Sequence, residues 1–353
     1  MADTQGPAAG EPPHGMRAQR CYAALDLGTN NCRLLIAQPA GDGFRVVEAF
    51  SRIVRLGEGL SQSGRLQEPA MERALAALRI CADKVRRRRV ASIRAVATQA
   101  CRSAANGGEF IARVARETGL KLQIITPREE ARLSVAGCRT LIDHRDEAVL
   151  VLDVGGGSTE LSWVDLRGVG PDGAPPPRAW LSMPLGVVTL AERFPEQRPE
   201  AELWYRAMVD HVRGEIERFR LAEPFRPIFE AGRAHLIGTS GAITSLAGLH
   251  LGLKRYDRSR VDGLWLQREE CAQAARRLLA LEPDVRAAEP CIGRDRADLV
   301  LAGAAILQAV QEAWPCERVR VADRGLREGL LFSLMNEGRG GRRRGGRRRR
   351  SGG

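Results

Sequence analysis

Lysine is almost missing from this chain: three of its 55 basic residues are lysines and the rest are arginines. Histidine is scarce at five residues, and the eight cysteines (21, 32, 81, 101, 138, 271, 291 and 316) include no Cys-x-x-Cys pair. That excludes the common zinc and dithiol motifs, so reduced thiols, several of them in the core, are expected rather than disulfides. No apolar run approaches the roughly 18 residues of a membrane span. The first twenty residues, MADTQGPAAGEPPHGMRAQR, lack the apolar centre of a signal peptide. These absences predict a cytoplasmic protein with a disordered leader over residues 1–19. Acid is missing from one end: RGGRRRGGRRRRSGG, residues 339–353, carries eight arginines and no carboxylate. Without those eight the net charge of +12 falls to +4, so the body is only mildly basic. A tail of that composition cannot bury a core. It is expected to be disordered over residues 337–353 and to attract RNA or another polyanion by charge alone.

What is present is enough for two ordinary domains: 353 residues, 44% of them hydrophobic. The stretch AVLVLDVGGGSTELSWV, residues 148–164, reads as a strand, a glycine turn and a second strand. Gly155, Gly156 and Gly157 have no Cβ, so successive N–H groups can converge on an anion, and Ser158 and Thr159 add hydroxyl donors. Asp153, at the strand end, supplies an oxygen ligand for Mg²⁺, the usual companion of phosphate oxygens. The same device occurs earlier in YAALDLGTNNCRLLIA, residues 22–37, as strand, Asp26, Gly28, Thr29, strand. Asp26 and Asp153 lie about one domain length apart, which predicts a duplicated domain with two facing phosphate hairpins. A third turn, Gly238-Thr239-Ser240-Gly241, joins a short apolar strand to a small-residue helix whose N-terminus can face an anion.

Between these turns the order is hairpins first, then alternating helix and strand, an α/β pattern. Strands are expected at Phe44–Phe50, 90–98 and 120–126, and residues 52–60 read as a strand leading into a loop. EPAMERALAALRICADKVRRRR places Met71, Leu75, Leu78, Ala82 and Val85 on one helical face. A helix follows at residues 126–137, with Thr126 as N-cap, Pro127 in the first helical position and Glu129 completing a capping box. That assignment gives Glu129 a structural task and leaves Glu130 without one. The second domain's hairpins are expected to run to about Val188, interrupted by an exposed Gly/Pro insertion, RGVGPDGAPPPR. Helices are expected over 198–220, 267–281 and 296–314, then a strand, a turn through Asp323-Arg324-Gly325 and a last helix.

With DLGTN, AVATQACRSAANGGEF, ITPREEARL, LDVGGGSTEL, IGTSGAITSLAG and ADRGLREGLL in this order, the chain resembles the exopolyphosphatase/guanosine pentaphosphate phosphohydrolase (Ppx/GppA) family over about residues 20–335. The resemblance implies an α/β fold of two ribonuclease H-like (actin-like ATPase) domains facing a central cleft. Domain I would comprise residues 20–126 plus 321–336 and domain II residues 127–320. It implies an exopolyphosphatase that cleaves the terminal phosphoanhydride of inorganic polyphosphate, or a phosphohydrolase that converts pppGpp to ppGpp. Mg²⁺ or another divalent cation such as Mn²⁺ would assist. The second glutamate of the family's Glu-Glu-Ala-Arg motif, here Glu130, would be the general base that activates water. Asp153 and Glu160, with Asp26 from the other lobe, would handle the metal. Gly155 to Ser158 and Gly28, Thr29 and Asn30 would cradle phosphate oxygens, joined by Arg33, Arg102, Gly238 and Gly241.

Longer family members carry an additional helical domain with His-Asp motifs. No His-Asp dipeptide occurs here, so a short, two-domain form is expected, with the arginine tail helping to hold polyphosphate. The family resemblance also allows a homodimer. An ATP-dependent kinase of the same fold would need a base set for a sugar hydroxyl. A non-catalytic polyanion-binding protein would not need Glu130, Asp153 and Glu160 together.

Overall fold

The structure, a computed structural model, describes residues 20–170 and 174–347, with side chains to residue 336. The leader, part of the Gly/Pro insertion and the last six residues of the tail lie outside the described residues. Two sheets form the body. The first lobe runs β1 (Tyr22–Leu27), β2 (Asn31–Ala40), β3 (Gly43–Ile53), α1 (Leu60–Ser63), α2 (Glu68–Arg87), β4 (Ser92–Ala97), α3 (Gln99–Ser103), α4 (Gly107–Thr118) and β5 (Leu122–Ile124). Its strand order is β3-β2-β1-β4-β5, antiparallel through β1, β2 and β3 and parallel from β1 to β4 and β5.

The second lobe continues with α5 (Pro127–Cys138), β6 (Ala148–Val154), β7 (Thr159–Asp165), β8 (Ala179–Met183), α6 (Val187–Arg193), α7 (Ala201–Glu217), α8 (Arg226–Glu230), β9 (Ala234–Thr239), α9 (Gly241–His250) and α10 (Arg258–Val261). Then come β10 (Trp265–Gln267), α11 (Arg268–Ala280), α12 (Pro283–Ala288), α13 (Val300–Ala313), β11 (Arg318–Ala322) and α14 (Leu326–Arg347). Its order, β10-β11-β9-β6-β7-β8, is the first sheet's order read backwards with β10 added at the edge. The duplication expected from two Asp-Gly hairpins is therefore present in topology, and each lobe has the ribonuclease H-like plan of the actin-like ATPase fold.

The helices between the sheets are exchanged. α5 follows β5 of the first sheet, yet its Val135 and Cys138 pack with Val149, Val151 and Ile237 of the second. α14 follows β11 of the second sheet, yet Leu326, Leu330 and Met335 pack on Ala24, Leu35 and Val96 of the first. The two helices meet backbone to backbone. A Cβ on Gly137 would lie 1.9 Å from the Gly325 carbonyl oxygen, and one on Gly329 would lie 2.0 Å from that of Leu133. Only glycine permits this approach, which sets the start of α14 beside the end of α5, so the two helices run antiparallel.

Several boundaries differ from expectation for identifiable reasons. Residues 52–60 leave the sheet after Ile53: Arg55 has φ 46°, and the N–H groups of Val54 and Arg55 donate to the Asn30 carbonyl at 2.8 and 3.1 Å. The hairpins of the second lobe stop at Met183, and Val187–Val188 open α6 instead. Thr126 does cap α5 through its hydroxyl, which accepts from the Glu129 N–H at 3.2 Å. The Glu129 carboxylate does not close the box; it pairs with Arg94, whose guanidinium also donates to Ser333 on α14 at 3.2 Å. Finally, α14 extends to Arg347, into the segment for which no structure was expected. A helix already anchored at its start does not pay nucleation again, which offsets part of the cost of the five glycines among residues 337–347.

Candidate active site between the lobes

The two hairpins match residue for residue in register. Asp26 is in register with Arg33, and Asp153 with Glu160; in both, a glycine N–H closes the loop, Gly28 onto the Asn31 carbonyl and Gly155 onto the Ser158 carbonyl, each at 2.9 Å. Arg33 and Glu160 are thus equivalent positions with opposite charge. In each tip the carbonyls are taken up within its own lobe. Thr29 and Asn30 accept from Gly57, Val54 and Arg55, while Gly155 and Gly156 accept from Val187 and Val188 at the start of α6. The amides of Thr29, Asn30, Gly156 and Gly157 make no backbone hydrogen bond among the described residues, so donors remain for an anion.

The tips touch across the cleft. A Cβ on Gly156 would stand 2.9 Å from the Asn30 nitrogen, and one on Gly157 2.8 Å from Thr29 Oγ1. None of the three glycines has a left-handed φ. Their small size, rather than unusual dihedrals, is what this contact demands.

Around these tips lies a cleft of about 570 Å³. It is lined by Asp26, Gly28, Thr29, Asn30 and Arg33 from the first lobe and by Glu130, Asp153, Gly155 to Ser158, Glu160 and Gly241 from the second. Two expected phosphate ligands are elsewhere. Gly238 is inside β9, where a Cβ would meet Ile243 Cδ1 at 2.7 Å; it serves close packing under α9. Arg102 stands behind Glu130, its Nη1 donating to Glu130 Oε2 at 3.1 Å and to the Ile125 carbonyl at 2.8 Å. It orients the glutamate and does not line the cleft.

Glu130 is 8% exposed, in the first turn of α5. Burial, with Glu160 and Asp153 adding, holds its carboxyl well above the usual range, against the opposing charge of Arg102. Its Oε1 accepts no hydrogen bond among the described residues, leaving that oxygen for a proton. Burial likewise pushes Glu160 up to about 7, with Asp153 adding, while hydroxyls of Ser158 and Ser182 favour its charged form. Asp26 is pushed up to about 6 by burial, opposed by Arg33 and Arg327. Asp153 is also raised by burial, and Ser134, one helical turn beyond Glu130, donates to its Oδ2.

Buried carboxylates that raise one another call for a cation. Asp26 Oδ1 and Asn30 Oδ1 are buried oxygens without a hydrogen-bond partner among the described residues. Among the described residues no group of three or more His, Cys, Asp or Glu is placed to hold a metal ion by itself. An oxygen-only, incomplete donor set fits Mg²⁺, which keeps waters and shares phosphate oxygens.

The sequence reading missed several cleft residues: Tyr256, Arg258, Arg296, Asp323, Arg327 and Glu328. The signal available for the last two was the motif ADRGLREGLL, read above only as a turn and a helix. Ser134 was legible too, since it stands at i+4 from Glu130 on one helical face.

A cleft between duplicated lobes, with two amide-donating tips facing buried carboxylates, defines a two-lobed phosphate-handling enzyme of the actin-like ATPase fold. The sequence profile of the Ppx/GppA phosphatase family matches residues 35–337. The crystal structure of the Aquifex aeolicus member of that family is 28% identical, with 90% of this chain and 98% of that one covered and a TM-score of 0.73. An exopolyphosphatase-like protein of known structure is 30% identical over 90% of this chain and 99% of its own, with a TM-score of 0.79. An exopolyphosphatase from Cytophaga hutchinsonii, 23% identical over 90% of this chain and 98% of its own with a TM-score of 0.76, bears on the fold alone. The chain belongs to the Ppx/GppA phosphatase family and is a phosphoanhydride hydrolase. Among the described residues no helix is long and apolar enough to cross a membrane.

Proposed function

We propose that the cleft hydrolyses the terminal phosphoanhydride of inorganic polyphosphate. The observation that carries this reading is Glu130: a buried carboxylate of raised basicity, one oxygen held by Arg102 and the other open, at the edge of two amide-rich tips. Its Oε1 accepts a proton from water as that water's oxygen bonds to the terminal phosphorus. The bond from phosphorus to the bridging oxygen breaks, and the shortened chain leaves as the second product. Amides of Gly156 and Gly157 on one side, and of Thr29 and Asn30 on the other, hold the non-bridging oxygens in line. Asp26 and Asp153, with Glu160 nearby, would hold a divalent cation such as Mg²⁺. When bound, that ion supplies charge neutralisation on the phosphoryl oxygens.

A second reading, pppGpp as substrate, is favoured by Tyr256, Ile292 and Arg296, which line the same cleft and offer an aromatic ring, an apolar side chain and a guanidinium to a nucleoside. The discriminating experiment is Mg²⁺-dependent phosphate release from long-chain polyphosphate and from pppGpp, with wild type and Glu130→Gln. Preferred cleavage of polyphosphate, lost in Glu130→Gln, supports the first reading. Preferred cleavage of pppGpp supports the second. Full activity in Glu130→Gln overturns the assignment of the base.

A further inference from the structure

A second cavity, of about 330 Å³, is built from both lobes. Arg55 and Glu58 come from the loop after β3, Ala191 and Glu192 from α6, and Arg286 from α12. Phe194, Trp204, Leu299 and Leu301 give it an apolar wall. Glu58 and Asp298 are exposed and mark its mouth, whereas Arg286 and Leu301, each 1% exposed, mark its inner end. The inner guanidinium is only partly used. Nη2 of Arg286 donates to Glu196 Oε2 at 2.5 Å, but Nε and Nη1 are buried without a hydrogen-bond partner. Those two nitrogens carry three of the five N–H groups of a guanidinium. No other residue of the cavity has a buried side-chain atom left unpaired. The Trp204 indole donates to the Phe194 carbonyl at 2.9 Å, Asp298 pairs with Arg55 at 3.1 Å and Glu58 with Arg73, and Glu192 accepts from the Gly59 N–H at 3.3 Å and the Ser61 hydroxyl at 2.7 Å. Buried donors left unpaired cost stability unless an acceptor reaches them.

The surroundings decide what that acceptor is. Four carboxylates, Glu58, Glu192, Glu196 and Asp298, line the cavity against the two guanidiniums of Arg55 and Arg286, which disfavours an anion of more than one charge. A single carboxylate can take the Arg286 donors while its carbon body lies along Phe194, Trp204 and Leu301. We propose that this cavity is a second ligand site, taking a small monocarboxylate with an apolar body, its charged end on Arg286. The site bears on the cleft through α6. The Val188 N–H donates to the Gly156 carbonyl at 2.8 Å and so holds the glycine tip, while Val188, Ala191 and Glu192 line the second cavity and Glu192 reaches the first lobe. A carboxylate bound there braces α6 against the first lobe and should lower KM in the cleft. Only this last effect rests on the hydrolase reading given above.

The probes are phenylacetate, its uncharged counterpart phenylacetamide, and orthophosphate, each added to the full chain in titration calorimetry and thermal unfolding. Expected is saturable binding of phenylacetate, with Tm raised by about 2 °C at ten times Kd. Phenylacetamide should bind about tenfold more weakly or worse. Arg286→Met should weaken phenylacetate by a similar factor, and Glu196 keeps Arg198 at 3.3 Å in that variant. Ala191→Phe, which takes up cavity volume and leaves Arg286 in place, should weaken it likewise, and it gives the same reading should the methionine variant not fold. The proposal is overturned if wild type shows no saturable phenylacetate binding, if both variants bind it as wild type does, or if phenylacetamide binds equally well. Orthophosphate binding that exceeds that of phenylacetate and is lost in Arg286→Met overturns the carboxylate class. A KM for polyphosphate that does not move as phenylacetate saturates the protein overturns the coupling through α6.

Discussion

Gly329→Ala should destabilise the protein although alanine is the better helix former. In the interior of α14, the change gains about 1 kcal/mol from helix propensity and the unfolded state. Against this, the new Cβ would lie 2.0 Å from the Leu133 carbonyl oxygen, a backbone atom of a packed helix that cannot rotate away. Ordinary contact begins near 3.4 Å, so α5 and α14 must part by roughly 1 Å or more, and a gap of 0.5–1 Å forfeits a quarter to a half of each dispersion contact. Overpacking of this kind costs about 1–3 kcal/mol, so the net expectation is a loss of up to about 2 kcal/mol, read as a fall in Tm of up to roughly 3 °C. Gly214→Ala is the control. Gly214 also lies inside a helix, α7, but a Cβ there meets nothing within 4 Å, so it should stabilise by about 0.5–1 kcal/mol. Because α5 carries Glu130 and α14 carries Arg327, Gly329→Ala should also lower kcat, on the order of tenfold or more for a 1 Å shift. Denaturant unfolding of the two variants beside wild type, with phosphate release on the same samples, decides the matter. If Gly329→Ala stabilises as Gly214→Ala does, the helices are not in backbone contact and the account of how the site is held together is wrong.

Two pH dependences follow. Arg102 lowers the pKa of Glu130 by charge and hydrogen bond, so Arg102→Ala should shift the acid limb of the kcat profile to higher pH and recover activity in alkali; a limb that stays in place would mean that it reports some other group. His235 is fully buried, its Nδ1 2.8 Å from Asp146 Oδ2 and its Nε2 accepting from the Asp143 N–H at 3.3 Å. Burial lowers its pKa, against Asp146, so the unfolded chain takes up a proton near pH 6.5 that the folded one refuses. The stability that His235 contributes is therefore present above about pH 6.5 and lost as pH falls below it. The raised carboxyls of Asp26 and Glu160 act with the opposite sign in the same window. The measurement is accordingly the difference in unfolding free energy between wild type and His235→Gln at pH 7.5, 6.5 and 5.5, and a difference that does not narrow with acidification would refute the neutral buried imidazole.

How far the site could be read from the chain depends on the range over which each feature is determined. The hairpins were legible because a strand, an aspartate and a glycine turn are contiguous, and repetition at one domain length identified them as a pair. Glu130 was singled out by exclusion at a helix start, since Thr126 and Pro127 fix the frame of α5 locally. The frame was right although the reason was half wrong: Glu129 is engaged by Arg94 rather than by the cap. Pairings over long separations were not legible. Nothing near TQACR indicates that Arg102 will be consumed by Glu130 and the Ile125 carbonyl, and nothing near GLREG indicates that Arg327 will line the same cleft as Asp26, which follows from α14 crossing to the first sheet. The equivalence of Arg33 and Glu160 was hidden for a related reason. It emerges only from register, in which both tips prove to be four-residue loops closed by the same glycine bond. Once the register is known, the asymmetry has a chemical reading. At this one register position the hairpin of the second lobe carries a buried glutamate whose charge raises Glu130, and the hairpin of the first lobe carries an arginine whose charge lowers Asp26, so a duplicated hairpin brings an acid to the cleft from one lobe and a cation from the other.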